Sequence, residues 1–359
     1  MTDDIARRKQ DHLDVVRDQD VTSAVSAGWD RFRFVHNALP EIDLADVTLK
    51  VEAFGKRLAA PLLLSSMTGG TPETAAVNRR LAAVAQRLGL AMGVGSQRIA
   101  LQAPRDITHF AVRDTAPDIL LFANLGAVQL NYGFTAGDCA WLVDALGADV
   151  LILHLNPLQE ALQAGGDTRF RGLIERIAEV CRRLAVPVVV KEVGWGLSAH
   201  VARQLAAVGA AGIDVAGAGG TSWSEVERHR ATDPLLRAVA SPFRGWGIPT
   251  AEALMDARAA VPGGFIIASG GISNGIDVAK ALALGANLCG LAAPAIQAVL
   301  RSEADGEFAL RVVVEQLRVA MFALGVASVA ALRGSADLLR PIAASSNAPV
   351  PGRDATLKE

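Results

Sequence analysis

The sequence predicts a (β/α)8 barrel preceded by an N-terminal arm or cap. Eight short apolar runs alternate with segments of helical period, the mark of repeated βαβ units. The runs are continuously apolar, as are strands of a parallel sheet covered on both faces. Each run also ends in glycine or polar residues, as strands do when their C-terminal ends share one mouth.

The candidate strands are 61–66, 90–95, 119–125, 149–155, 186–193, 211–217, 264–271 and 286–293. Segments such as ETAAVNRRLAAVAQRLG lie between them. A doubly wound sheet shows the same alternation, so the strand count alone does not close a barrel. The decorated ends decide more: SSMTGG, GVGSQR, ANLG, HLNPLQE, KEVGWG, AGAGGTSW, SGGISNG and GLAAP. Residues 1–57 are expected to form an arm covering the mouth, 58–342 the barrel, and 343–359 a disordered tail. Residues 217–249 read as a long, functional or mobile excursion after strand six, and 301–342 as closing helices.

Composition excludes several classes. Hydrophobic residues make up 51% of the 359 and aromatics only 5%, so the core is built from Ala, Val, Leu and Ile. A formal charge of −2 gives no basic excess for nucleic acid. The 6 histidines are scattered. The 3 cysteines, Cys139, Cys181 and Cys289, form no CxxC pair and suit a reducing cytoplasm. The charged N-terminus shows no apolar h-region. Mean hydropathy is +0.30, and residues 281–300 carry no charge. Gly285, Asn287, Gly290 and Pro294 interrupt that stretch, so no membrane span is expected.

Several strand ends carry chemistry. Gly270 and Gly271 follow strand seven just before a helix, and Ala292 and Ala293 follow strand eight. The loops after strands seven and eight are where such barrels hold phosphate, with backbone N–H groups at a helix N-terminus. Lys191 ends a buried strand, which is costly unless it meets an anion or an electron-rich group. Ser65, Ser66, Met67 and Thr68 end strand one; the thioether and following glycines suit a flat ring. Ser96, Gln97 and Arg98 follow strand two, Asn124 ends strand three and Thr221 follows strand six. Together these suit a phosphorylated planar cofactor such as FMN. In HLNPLQE, His154, Asn156, Gln159 and Glu160 cluster around Pro157, which is expected to end the strand and turn a loop. One carboxylate, Glu160, can hold Mg²⁺ when substrate phosphates and waters supply the remaining oxygens. Arg7, Arg8 and Lys9 in RRKQDH offer a fork of cations to a second anion if the arm folds over the mouth.

RKQDH, SSMTGG, GVGSQR, HLNPLQE, VVVKEVGWG, VAGAGGTSW and SGGISNG, in order from residue 7 to about 295, resemble type 2 isopentenyl-diphosphate isomerases. The resemblance implies FMN-dependent interconversion of isopentenyl and dimethylallyl diphosphate. The flavin would work reduced, as acid and base, with NADPH or NADH as reductant. It implies FMN contacts at Ser65, Ser66, Met67, Thr68, Ser96 and Asn124, and at Lys191, Thr221, Gly270, Gly271, Ala292 and Ala293. Arg8, Lys9, Ser96, Gln97 and Arg98 would hold the diphosphate. Gln159 would face the isoprene carbons with His154 and Asn156 nearby, and Glu160 would bind Mg²⁺. The family commonly has Arg where this chain has Ser273, which removes a cation near the flavin phosphate. A homotetramer or homo-octamer is implied. The alternative is another FMN barrel oxidoreductase. A hydroxy-acid oxidase needs His and Arg in the last loops, but residues 265–300 contain neither. A dehydrogenase with a nucleophilic loop Cys fails because no cysteine falls in a loop.

Overall fold

The computed structural model describes residues 2–67 and 69–342, with the side chains of 2–7, 9 and 10 left aside. Thr68, the Lys9 side chain and the expected tail 343–359 lie outside the described residues. All eight candidate strands are present. They are β1 (Leu62–Leu64), β2 (Ala91–Gly93), β3 (Leu121–Gly126), β4 (Val150–His154), β5 (Val188–Lys191), β6 (Gly212–Asp214), β7 (Ile266–Ser269) and β8 (Leu288–Leu291). Each pairs in parallel with the next, and β8 closes on β1 through Leu291 opposite Leu64.

The strands are apolar throughout because both faces are buried. Leu63, Phe122, Val150, Ile152, Val189, Ile267 and Leu288 point inward and form one cluster. Their neighbours Leu62, Leu64, Leu121, Leu151, Leu153 and Val190 face the helices in a second. Successive side chains on a strand alternate faces, so one run feeds two cores.

The N-terminal 57 residues do not act as one arm. Helix α1 (Thr2–Asp18) and the turn after it reach the mouth. Residues 32–34 instead pair with 339–341. A hairpin of Val51–Ala53 and Lys56–Leu58 closes the opposite end. Ala53 and Leu58 join the inner core, and the Phe54 ring lies 4.4 Å from that of Phe265 and 6.1 Å from that of Phe122. Phe54 has φ 47° and Gly55 φ 78°, the two positive values of a tight hairpin loop. A bulky residue rarely tolerates that φ. Here it places the ring inside the barrel's foot.

The expected loop at Pro157 is a short helix, α2 (Pro157–Leu162), with proline at its first position, where the missing N–H costs nothing. The excursion 217–249 is also largely helical and contains α3 (Trp223–Arg230). The uncharged stretch 281–300 divides into a helix end, β8 and a further helix. Among the described residues, no helix is long and apolar enough to cross a membrane.

Candidate active site

The eight strand ends open into one cavity of about 510 Å³, roofed by α1 and α3. Its floor carries Ser65, Ser66, Met67, Ser96, Asn124 and Lys191. Thr221, Gly270, Gly271, Ala292 and Ala293 line one side. Arg8, Arg98, His154, Asn156, Gln159 and Glu160 line the other. Sequence reasoning therefore brought these residues to one place. Gln97 is the exception: it is fully buried outside the cavity lining, and its Oε1 accepts the Asn124 N–H at 3.0 Å. It braces the strand beside the cavity rather than facing a diphosphate.

The floor is built for a ligand it cannot satisfy alone. Among the described residues the hydroxyls of Ser65 and Ser66 are buried without a hydrogen-bond partner, a state that costs free energy unless something fills it. Lys191, 7% exposed, donates from Nζ to the Glu192 carbonyl at 2.6 Å and stands in register with Asp214. Burial raises the Asp214 carboxyl, and the Lys191 charge pulls it back. Burial likewise pushes Glu192 up to about 7, against the N–H groups of Trp195, Gly194 and Val193, which all donate to Oε2.

The glycine loops run backbone against backbone. A Cβ on Gly271 (φ 65°) would sit 2.6 Å from the Gly219 carbonyl oxygen, and one on Gly220 would sit 2.7 Å from the Gly271 nitrogen. Only glycine permits that approach, which leaves peptide groups rather than side chains at the cavity wall. The helix Gly275–Ala283 starts beside it, capped by Asn274. Ser273 donates from both its N–H and its hydroxyl to Asp277 at 3.1 and 3.0 Å. Orphan hydroxyls, a lysine and peptide-lined loops together fit a phosphorylated planar ring system.

At the opposite wall the orientation of His154 follows from its neighbours. Asn124 Nδ2 donates to the Val94 carbonyl at 3.1 Å, so its Oδ1 faces His154 Nδ1 at 2.8 Å. Nδ1 therefore carries a hydrogen and donates it to Asn124 Oδ1. Asn156 donates from Nδ2 to Gln159 Oε1 (3.1 Å) and to Glu160 Oε1 (2.9 Å). Glu160 Oε2 accepts from Gln163 Nε2 and from the Asp167 N–H at 2.7 Å. A carboxylate has about four lone-pair directions. Among the described residues three are used, and the fourth, on Oε1, is left at the cavity. That suits a cation held mainly by substrate oxygens; among the described residues no cluster of acidic, His or Cys side chains could hold one unaided.

Two functional candidates were not singled out from the sequence. Glu227 on α3 is 2% exposed and is the hub of the roof. Its Oε1 accepts from His12 Nε2 (2.9 Å) and Gln159 Nε2 (3.0 Å), and its Oε2 from Arg230 Nη1 (2.6 Å). Burial alone would raise its carboxyl; the hydrogen bonds from His12 and Gln159 and the Arg230 charge override this and hold it ionised. Burial lowers His12, opposed by the hydrogen bond to Glu227 and by that carboxylate's charge. The His12 ring also stands edge-on to Trp223 at 5.2 Å. Burial lowers Arg8 too, opposed by the charge of Glu160. The second missed residue is Asp167, buried beside Arg98. No nucleophilic thiol is at hand: Cys139 and Cys289 are buried in a helix and in β8, and burial pushes the Cys139 thiol up to about 12.

Fold and site together define an FMN-type barrel. Residues 158–339 match the family described as FMN-dependent dehydrogenase. Mandelate oxidase solved with (S)-2-phenylpropionate superposes with a TM-score of 0.62 over 93% of this chain and 96% of its own, at 20% identity, a likeness of fold alone. Sequence relatives are more specific. The isopentenyl-diphosphate delta-isomerase of Synechococcus sp. is 54% identical over 94% of this chain and 97% of its own. That of Nostoc sp. is 48% identical over 93% and 95%, and that of Stutzerimonas stutzeri 51% over 92% and 96%. The chain belongs to the isopentenyl-diphosphate delta-isomerase family.

Proposed function

We propose that this protein interconverts isopentenyl and dimethylallyl diphosphate with reduced FMN, Mg²⁺ and NADPH or NADH as the reductant. The observation that carries the reading is the roof of the cavity. Gln159 is held there with its amide oriented, Oε1 toward Asn156 and Nε2 toward Glu227. The allylic shift needs a proton delivered to one face of an alkene and another removed, with no nucleophile to trap cation character. Reduced FMN, when bound, would supply that acid–base capacity and an electron-rich face. Ser65, Ser66, Met67, Ser96, Asn124 and Lys191 would seat its ring, and Thr221, Gly270, Gly271, Ala292 and Ala293 would surround its phosphate. Arg8 and Arg98 would take the diphosphate, and Glu160 the metal on it. His154 and Asn156 position the substrate beside Gln159. Closure of α1 and α3 excludes water, which strengthens these contacts.

The reading includes a cytoplasmic setting, in keeping with three free cysteines, and a homotetramer or homo-octamer. An isomerase assay with dithionite-reduced FMN and Mg²⁺ tests it. Conversion of isopentenyl diphosphate without net oxidation is the expected result. Absence of conversion by flavin-loaded, reduced protein would refute it.

A further inference from the structure

Behind Arg98 and Glu160 lies a buried carboxylate that the proposed reaction does not use. Asp167 is 9% exposed. Its Oδ2 accepts from Arg98 Nη1 and from Gln129 Nε2, the latter at 3.0 Å. Its own backbone N–H donates to Glu160 Oε2 at 2.7 Å. One residue thus holds a cation of the cavity wall with its side chain and the carboxylate opposite with its main chain. Gly166 makes this reach possible: a Cβ there would lie 1.8 Å from the Glu160 carbonyl oxygen, so the chain folds flat against α2 only without one.

We propose that Asp167 is a positioning residue that locks Arg98 to Glu160, so that the anion site and the metal site are set as one unit. The inference rests on the placement of the diphosphate at Arg98 and of the metal at Glu160. Arg8 and Arg98 repel each other across this wall, while Glu160 attracts Arg8. Without Asp167, Arg98 would be driven outward. With it, cations and carboxylates alternate as Arg8, Glu160, Arg98 and Asp167, and Arg98 is held in place before any ligand arrives. A side chain ordered in advance loses less freedom on binding, which is why such supports raise affinity.

The test is calorimetric titration of FMN-loaded protein with inorganic pyrophosphate, with and without MgCl2. Asp167→Asn keeps the shape and the backbone N–H but removes the charge. It is expected to weaken pyrophosphate by roughly tenfold or more with Mg²⁺ present, at unchanged flavin content. In turnover, KM is expected to rise while kcat moves less than KM. The same substitution in an Arg98→Ala background is expected to cost much less, because the two act through one contact. Asp167→Glu, which keeps the charge, is expected to recover part of the loss and guards against a folding defect in the first variant. Unchanged affinity in Asp167→Asn overturns the inference. Tighter binding also does, since Asp167 would then only compete for Arg98. If Arg98→Ala itself leaves pyrophosphate binding intact, the diphosphate placement fails and the inference with it; a loss in Arg98→Ala with none in Asp167→Asn sinks the inference alone.

Discussion

Glu227 holds α1 over the cavity, and replacing it by leucine should release that helix. Leucine keeps most of the volume but accepts no hydrogen bond from His12, which Glu227 accepts at 2.9 Å. Charge-assisted hydrogen bonds contribute ~1.5–3 kcal/mol each. A second polar tie, Asp11 to Arg230 at 3.5 Å, is looser and adds little at a partly exposed site. Leu13 and Val16, each 9% exposed, keep their packing, so the helix is loosened rather than lost. Local opening of α1 should therefore rise roughly 10- to 150-fold, taking 1.4 kcal/mol per decade. Native-state hydrogen exchange of residues 8–18 reads this directly. Glu227→Gln, which retains a neutral acceptor, should fall between wild type and Glu227→Leu. Protection within threefold of wild type in the leucine variant would show that apolar packing alone seats the helix, and the hub would have no such role.

Glu160→Gln should greatly reduce turnover while flavin stays bound; full activity of that variant without added Mg²⁺ would rule out the metal role. Gly271→Ala should lose flavin on gel filtration, since its Cβ meets a carbonyl oxygen at 2.6 Å; retention of stoichiometric FMN would contradict the peptide-lined phosphate loop. Wild type should bind FMN despite Ser273, and protein that takes up none from excess FMN would contradict that. Glu192 has a carboxyl raised by burial from 4.5 to about 7, so the folded state holds its proton more tightly than the unfolded one. Its contribution is therefore fully present below pH 4.5 and lost as pH rises through about 7. Denaturation midpoints of wild type relative to Glu192→Gln should fall across that window; a flat or rising difference would show that the carboxylate is already ionised at its foot.

The barrel was legible because both its signals are local. A continuous apolar run marks a strand buried on two faces, and a glycine or polar end marks the mouth, as at Ser65, Lys191 and Gly270. Most of the cavity lining came from the same rule. Gln97 did not obey it, because a strand-end polar group can brace a neighbouring strand as readily as face the cavity. Glu227 was hidden for a different reason. It meets Gln159 across 68 residues and His12 across 215, and nothing in the charged run WSEVERHR distinguishes a buried glutamate from a solvated one. The hairpin at 51–58 lacked the Asn-Gly or Asp-Gly turn that advertises such loops. Its Phe54 takes a positive φ only because the barrel interior receives the ring.

That ring has a kinetic consequence. With the foot of the barrel stoppered by that ring, the chamber opens at the strand ends, beneath α1. Whatever lies on the floor must enter before anything that lies above it, and must leave after it. Under the proposed function, loading is thereby ordered by architecture: ring system first, diphosphate ester second. Exchange of the lower guest should slow whenever the upper one is aboard.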